Sequence, residues 1–312
     1  MLTRRLGAEG PEVSVVGLGT NNFGWRIGLA ESRLVVDTAL EEGITLLDTA
    51  DVYGPIESEE FLGQILSGRR ERFVVLTKFG LEIPGSPADL PRGSRAYVRW
   101  AIDGSLARLR TDVIDVYMLH RPDGVTPLQE TVAALGELVR EGKARYVGLS
   151  NVDAAQIDEA ASAARAGGVP LVCVESRYSL IRRAAEQDVV PACQRHGLGL
   201  LPYYPLESGI LTGKYRRGED PPAGSRFGGG SRIWPAERWL TDEAFAAVEA
   251  LEAFAAKRGL SLLDLALGGL AAMPAVGSVI AGATTPAQVR ANARSGQWQP
   301  SAADLAALRA SA

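Results

Sequence analysis

Short apolar segments alternate with longer amphipathic segments along the whole chain. The short segments are often apolar throughout, which is typical of parallel strands buried on both faces. They predict eight strands, at Val13–Leu18, Thr45–Asp48, Phe73–Lys78, Val113–His120, Tyr146–Ser150, Leu171–Glu175, Gly199–Tyr203 and Ser278–Ala281. Helix-period spacing between them predicts helices such as Glu31–Glu42, Ser94–Leu109, Thr126–Glu141 and Asp153–Ala166, with Ser94 and Asp153 as caps.

Eight strands that each precede a helix favour one α/β domain over residues 1–312, a (β/α)8 TIM barrel. Residues 2–13 contain two extended pieces about a Gly/Pro turn, which predicts an N-terminal β-hairpin over the barrel bottom. Residues 206–240, rich in Gly, Pro, Ser and Arg, predict a long loop after strand 7, either a lid or a mobile segment. A doubly wound sheet is the alternative, but GLGTNNFG has only the first two glycines of a dinucleotide-binding G-x-G-x-x-G.

Composition and charge narrow the function classes. The net charge is −4 and the basic residues are scattered, so we expect no nucleic-acid surface. No apolar run reaches roughly 18 residues, and the start of the chain lacks a secretion signal, so we expect a cytoplasmic protein that does not enter membranes. Cys173 and Cys193 lie in apolar settings, and two His with two Cys give no zinc spacing, so we expect buried thiols and no metal.

Four polar side chains occur at the ends of three consecutive predicted strands. Asp48 ends the second strand and Tyr53 follows in the next turn, while Lys78 ends the third strand and His120 the fourth. Each of them alone is explained by an ordinary role in a turn, in packing or at the surface. The C-terminal strand ends of a barrel meet at one rim, so the four together predict a catalytic site there.

This set of groups suits hydride reduction of a carbonyl. A phenol has an ordinary pKa of roughly 10, and a neighbouring ammonium lowers the pKa and makes the phenol a better acid. We therefore expect Tyr53 to donate the proton, Lys78 to assist it and Asp48 to hold Lys78. His120 can donate a hydrogen bond to the carbonyl oxygen. No side chain supplies hydride, so the chemistry requires a cofactor.

The chain also resembles the aldo-keto reductase family from end to end. The resemblance rests on DTADVYG at 48–54, LTKFG at 76–80, SLARLRTDVIDVYMLHRPD at 105–123, GKARYVGLSN at 142–151, YYPLESGILTGKY at 203–215 and VIAGATTPAQVRAN at 279–292. It implies a catalytic tetrad of Asp48, Tyr53, Lys78 and His120, and reversible NADPH-dependent reduction of a small aldehyde or ketone. Two alternatives stay open: a cofactor-sensing, non-catalytic barrel that partners another protein, and a barrel of unrelated chemistry. The family's usual state implies a monomer or a weak oligomer.

The resemblance further implies that NADPH lies extended across the barrel mouth, with NADH as the alternative. Ser150 and Asn151 would hold the carboxamide, Tyr203 would stack on the nicotinamide ring, and the diphosphate would lie near Lys214. Thr284 and Gln288 stand where many NADPH-specific relatives have a cation, and the nearby Arg290 faces either the cofactor or solvent. The full expected set is Gly19, Thr20, Ser150, Asn151, Glu175, Tyr203, Leu206, Ser208, Gly209, Leu211, Lys214, Gly282, Thr284, Thr285, Gln288 and Asn292.

Glu175 departs from the family pattern, which has Gln at this position. A carboxylate accepts hydrogen bonds but donates none unless it is protonated. It would also lie close to the positively charged ring of the oxidised cofactor. The hypothesis is that Glu175 changes cofactor affinity or the balance between the oxidised and reduced forms.

The substrate is not specified by the sequence. Candidate substrate-facing residues are Asn21, Phe23, Trp25, Phe79 and Arg121. Arg121 follows the catalytic histidine and indicates either an anionic or polyhydroxylated substrate or an ion pair with Asp123. Trp234 and Trp239 in the long loop, and the tail from Trp298 onward, either close over the pocket or anchor these segments by packing.

Overall fold

The computed structural model describes residues 1–228 and 235–310. Its strands are β1 Thr3–Arg5, β2 Glu12–Ser14, β3 Val16–Gly19, β4 Leu46–Asp48, β5 Val74–Phe79, β6 Ile114–Leu119, β7 Ala144–Ser150, β8 Leu171–Arg177, β9 Gly199–Tyr203 and β10 Val279–Gly282. Its helices are α1 Leu29–Glu41, α2 Glu57–Ile65, α3 Arg95–Leu109, α4 Leu128–Arg140, α5 Ala154–Gly167, α6 Val189–His196, α7 Asp242–Ala256, α8 Leu262–Asp264, α9 Pro286–Ser295 and α10 Ala302–Ala310. Helix α8 continues as a π-helix over Leu265–Gly269.

Strands β3 to β10 form one parallel sheet in the order β10-β3-β4-β5-β6-β7-β8-β9. The sheet closes between β9 and β10 at Leu200, whose N–H donates to the Ala275 carbonyl at 2.7 Å and whose carbonyl accepts from Gly277 at 2.8 Å. Helices separate successive strands, as parallel connections require. The predicted (β/α)8 TIM barrel is therefore confirmed, and the doubly wound alternative is wrong.

The predicted elements agree with the structure except at the start of the barrel. Predicted strand Val13–Leu18 corresponds to two strands, because Glu12–Ser14 pairs with the hairpin and Val16–Gly19 begins the barrel. Ser94 caps α3 by accepting from an N–H of the first turn, and Asp153 caps α5 in a full capping box. Both expected caps are thus confirmed.

The hairpin closes the bottom of the barrel. Strands β1 and β2 pair in antiparallel fashion, and Leu6 and Val13 pack without exposure against the interior residues Leu46, Val116 and Leu201. At Gly7, between the two strands, φ is +69° and a Cβ would lie 2.4 Å from a β8 carbonyl oxygen, so this turn requires glycine. The prediction of an N-terminal cap is confirmed.

Strand alternation divides the wall of the barrel into an inner and an outer face. Leu76 and Met118 fill the interior, while Val75 and Tyr117 pack outward against the helices. Near the C-terminal ends the inward positions become polar, because side chains two residues apart on a strand share a face. Leu76 is thereby followed on the inner face by Lys78.

The described part of the long segment after β9, residues 206–228 and 235–240, is irregular, and helix α7 follows it. It contains 3-10 turns at Glu207–Thr212 and Ala236–Arg238 before α7 begins. The Arg177 guanidinium carbon lies over the Trp239 ring, 4.7 Å from the ring centroid. Trp234 lies outside the described residues. Trp298 packs against Gly268 and Gly269 of the π-helix, where a Cβ would lie about 3 Å from it, so the tail is anchored by packing. None of the described helices is both long and apolar enough to span a membrane.

Candidate active site

Three strand ends and one loop carry the four predicted catalytic side chains. Asp48 is the last residue of β4, Lys78 lies in β5, and His120 directly follows β6. Tyr53 lies on the loop between β4 and α2, and this loop is tied to the strands because Asp51 N–H donates to the Lys78 carbonyl at 3.1 Å. The structure brings these groups together at the C-terminal rim.

Lys78 is the centre of the contacts. Its ammonium donates to the Asp48 carboxylate in a short hydrogen bond, to the Thr49 carbonyl at 3.0 Å and to the Tyr53 hydroxyl at 3.5 Å. The Tyr53 and His120 rings meet edge to face, with centroids 6.0 Å apart. One oxygen placed between phenol and imidazole could therefore receive a hydrogen bond from each.

Burial dominates the electrostatics of the phenol and the imidazole. Burial raises the pKa of Tyr53, and this outweighs the Lys78 ammonium, which lowers the pKa. The expected lowering by Lys78 is thus present but is not the net effect, and Tyr53 is protonated at neutral pH. Burial, together with the positive charges of Lys78 and Arg121, lowers the pKa of His120 to about 3, so its imidazole is neutral.

Glu175 adds a second carboxylate to the same cluster. Its Oε2 lies 3.2 Å from the Lys78 ammonium, and the side-chain exposures of Lys78 and Glu175 are 0% and 4%. Burial and the nearby charge of Asp48 raise the pKa of Glu175 to about 8. Burial alone would lower the pKa of Lys78, but the carboxylates of Asp48 and Glu175 raise it well above its ordinary value.

A cleft of about 670 Å³ opens above this cluster, which is within the range of roughly 300–1,000 Å³ typical of small-molecule sites. Asp48, Tyr53 and His120 line it, whereas Lys78 is completely buried behind them. Of the expected cofactor and substrate residues, those lining the cleft are Gly19, Asn21, Arg121, Asn151, Glu175, Tyr203, Leu206, Ser208, Gly209, Lys214, Gly282, Thr284, Gln288 and Asn292.

The polar groups along the cleft suit a dinucleotide. Tyr203 hydroxyl donates to the Asn151 side-chain oxygen at 2.7 Å, and the Asn151 amide donates to the His120 carbonyl at 2.9 Å, which fixes both residues beside the catalytic groups. Farther along, Gly209 has φ +97° and a Cβ there would lie 2.6 Å from the Lys214 amine. The absence of a side chain at Gly209 thus lets the Lys214 ammonium lie close to the backbone. An ammonium beside backbone N–H groups is an arrangement that can bind a phosphate.

The end of the cleft at residues 282–292, where the sequence predicts the adenosine, is polar but uncharged. The Gln288 side-chain oxygen accepts from Thr284 N–H at 2.8 Å, and no Lys or Arg among described residues 282–292 lines the cleft. The Arg290 guanidinium instead pairs at 3.3 Å with Glu41, the last residue of α1, and at 3.6 Å with Glu42 directly after it. Of the two readings of Arg290, its contacts favour a surface helix charge.

Four expected cofactor residues do not line the cleft. Thr20 is buried and its hydroxyl donates to the Asp48 carbonyl at 2.9 Å, and the Ser150 hydroxyl accepts from the Asn151 amide at 3.0 Å. Leu211 packs in the outer core, and the Thr285 hydroxyl caps α9. The first two hold functional neighbours in place, and the other two support the local backbone.

The expected substrate residues also include some that line the cleft and some that do not. Phe79 follows the inward-facing Lys78, so it faces outward, where it stacks on Tyr117 with centroids 4.9 Å apart. Phe23 is also fully buried in the outer core, and Trp25, 60% exposed, does not line the cleft. The structure therefore places Phe23, Trp25 and Phe79 away from the cleft, and the prediction of substrate contact is kept for Asn21 and Arg121, which line it.

Sequence reasoning missed several residues around the mouth of the cleft. Arg26, Leu81, Tyr204 and Arg226 line it, and Arg26 donates to the Gly224 carbonyl at 3.2 Å, joining the loop after β3 to the long segment. The available signal for Arg226 was the arginine content of the long segment, but that segment was predicted only as a lid or a mobile segment, with no arginine singled out. The described part of that segment does contribute to the wall of the cleft.

Arg121 and Asp123 do not form the ion pair that was the alternative. Asp123 accepts hydrogen bonds from the N–H groups of Gly93, Val125 and Thr126 at 2.8–2.9 Å. These bonds outweigh burial, which opposes them, and lower the pKa of Asp123 to about 2. Arg121 forms no ion pair with any described residue, and it lines the cleft.

Comparisons with known proteins agree with this geometry. A model described as "Aldo/keto reductase family" matches residues 15–312. A protein from Arabidopsis thaliana named probable voltage-gated potassium channel subunit beta is 35% identical over 299 residues, covering 94% of this chain and 90% of the relative. A protein of the same name from Oryza sativa subsp. japonica is 36% identical with the same coverage.

Proposed function

The chain belongs to the aldo/keto reductase family, and on that premise we propose that it reversibly reduces an aldehyde or ketone to an alcohol with a nicotinamide dinucleotide. The observation that carries this proposal is the Tyr53 hydroxyl 3.5 Å from the buried Lys78 ammonium, beside His120 in a cleft that is lined by polar side chains.

Side chains of this protein donate the proton and stabilise the charge that remains. Tyr53 and His120 donate hydrogen bonds to the carbonyl oxygen, and Tyr53 transfers its proton as negative charge develops there. The Lys78 ammonium, held by Asp48, stabilises the phenolate that remains. The bound dinucleotide supplies the hydride. In the reverse direction the same phenolate accepts the proton of the alcohol.

NADPH is the form that the family resemblance favours, but the cleft provides little to select it. We expect the Kd values for NADPH and NADH to differ by less than about tenfold. A charge-assisted hydrogen bond from a cation to the 2′-phosphate, worth about 1.5–3 kcal/mol, would favour NADPH, but no Lys or Arg among described residues 282–292 lines the cleft to form it. Binding titrations of both nucleotides test this. Arg290→Gln should leave both affinities unchanged, and a selective loss of NADPH binding would show that Arg290 does reach the 2′-phosphate.

Arg121 indicates an anionic substrate. For an aldehyde that carries a carboxylate, Arg121→Leu should raise KM by about 10- to 100-fold, the worth of one charge-assisted hydrogen bond of about 1.5–3 kcal/mol. A neutral aldehyde of the same length should be unaffected. The control is Asp123→Asn, which alters the neighbouring loop without removing the cation and should not change the ratio of the two KM values. Equal losses for both aldehydes would contradict a charge-specific role.

The experiment that tests the function is a titration with both nucleotides followed by turnover of an aldehyde and ketone panel. Nucleotide binding with carbonyl-dependent oxidation of the reduced cofactor supports the proposal. Failure to bind either nucleotide would overturn it.

A second candidate function comes from the relatives, two of which are named as potassium channel subunits. In this reading the chain binds the dinucleotide and partners another protein without turning over a substrate. The tetrad contacts favour the reductase. Tight nucleotide binding without turnover of any carbonyl would favour the second candidate.

A further inference from the structure

Asp48, Lys78 and Glu175 form a buried cluster with more acid than base. Their side-chain exposures are 4%, 0% and 4%, and both carboxylates lie against the one ammonium. If all three are ionised, the cluster carries one net negative charge. An unbalanced buried charge is costly, so the cluster needs one more proton or one more positive charge.

The other titratable groups near Glu175 do not supply that charge. Burial raises the pKa values of Cys173 on the same strand and of Tyr203 on β9, so both stay neutral. Arg177, two residues along β8, is engaged with Glu207 at 2.6 Å. Arg121 lines the same cleft, and its charge acts on His120 and Tyr203. The charges that act most strongly on Glu175 are those of Asp48 and Lys78, and Glu175 in turn raises the pKa of the Tyr53 phenol.

The contacts favour Glu175 as the member of the cluster that holds the extra proton, because the Asp48 carboxylate makes the closer contact with the Lys78 ammonium. Burial raises the pKa values of both carboxyls, that of Glu175 to about 8. Glu175 also reaches the cleft beside Asn151 and Tyr203, the two residues proposed for the nicotinamide end. A positively charged ring bound there would balance an ionised Glu175.

We propose that Glu175 couples the redox form of the cofactor to one proton, being ionised when the oxidised dinucleotide is bound and protonated when the reduced one is bound. This inference rests on the dinucleotide binding of the proposed function. It predicts that the chain releases a proton when it binds the oxidised form and none when it binds the reduced form.

The charges balance over the reaction. When the carbonyl carbon accepts hydride and the oxygen accepts the Tyr53 proton, the site gains one positive charge from the oxidised ring and one negative charge on the phenolate. Lys78 lies 3.5 Å from the Tyr53 oxygen and 3.2 Å from Glu175, so it can pass a proton to the phenolate and take one from Glu175. Tyr53 is then restored, and the ionised Glu175 faces the positive ring.

The test is the pH dependence of binding, without turnover. For the wild type, the Kd of the oxidised dinucleotide should fall about tenfold per pH unit below pH 8 and level off above it, because affinity follows the ionised fraction of Glu175. The Kd of the reduced form should be flat below pH 8 and rise above it. Calorimetry in buffers of different ionisation enthalpy should detect up to one proton released per oxidised dinucleotide at pH 7.

Glu175→Gln should abolish both pH dependences and weaken binding of the oxidised form by about tenfold at pH 9. The matched control is Asp51→Asn, since Asp51 is another fully buried carboxyl with a raised pKa, on the same rim but outside the cleft. It should keep the wild-type pH profile. A pH-independent Kd in the wild type, or a slope that persists in Glu175→Gln, would overturn the inference alone. No binding of either form by the wild type would overturn the proposed function as well.

Discussion

Tyr53→Phe is expected to lower kcat for carbonyl reduction by about 10²–10⁴-fold, the usual contribution of a general acid, with little change in nucleotide Kd. Phenylalanine keeps the ring against His120 and removes only the hydroxyl beside Lys78. His120 cannot replace the lost acid, because its pKa of about 3 leaves the imidazole unprotonated at neutral pH. Single-turnover rates and nucleotide titrations on the same preparation measure both quantities.

Tyr117→Phe is the control for that variant. Tyr117 is a fully buried tyrosine on the outer face of β6, so its loss of a hydroxyl should affect stability but not the proton transfer. If Tyr53→Phe kept more than a tenth of the wild-type rate, another group would have to donate the proton. Loss of nucleotide binding together with activity would mean that Tyr53 supports the cleft rather than the chemistry.

Much of the fold and the centre of the site follow from strand patterns. A strand buried on both faces is apolar throughout, so a charged residue at its C-terminal end, such as Asp48 or Lys78, stands out from the sequence. In a barrel such positions can only meet at one rim. Successive side chains of a strand point to opposite faces, so this alternation would also have placed Phe79 on the outer face, because Phe79 directly follows the inward-facing Lys78.

Contacts between distant strands and between loops could not be predicted in this way. Glu175 on β8 meets Lys78 on β5 across the barrel interior, and that contact depends on the stagger of the closed sheet, which a single sequence does not reveal. Asp123 is held partly by Gly93 from another loop, which separates it from the neighbouring Arg121. Loop conformations of this kind depend on tertiary hydrogen bonds rather than on local pattern.

Lys78→Met should destabilise the protein by about 3–5 kcal/mol near pH 9, because it leaves two buried carboxylates without their counter-ion. The loss should be smaller near pH 5. Without the ammonium, the folded-state pKa values of Asp48 and Glu175 rise further above unfolded values of about 4, so the folded state binds more protons than the unfolded state. Stability then falls as pH rises through that range. Urea unfolding at pH 5, 7 and 9 measures the trend.

Two comparisons separate this effect from a general loss of packing. Lys143→Met removes a surface ammonium, 30% exposed and paired with Asp103 at 2.6 Å, and should cost no more than about 1 kcal/mol at any of these pH values. Adding Glu175→Gln to Lys78→Met removes one of the two carboxylates left without a counter-ion, so the double variant should be more stable than Lys78→Met at pH 9 and show a shallower pH dependence.

A pH-independent loss of stability in Lys78→Met would instead mean that methionine fits the cavity poorly and that water compensates the charges of the cluster. Rescue by Glu175→Gln that grows with pH would show that an ionised Glu175 is costly without the Lys78 ammonium as its counter-ion, which is the physical basis of the proton coupling inferred for Glu175.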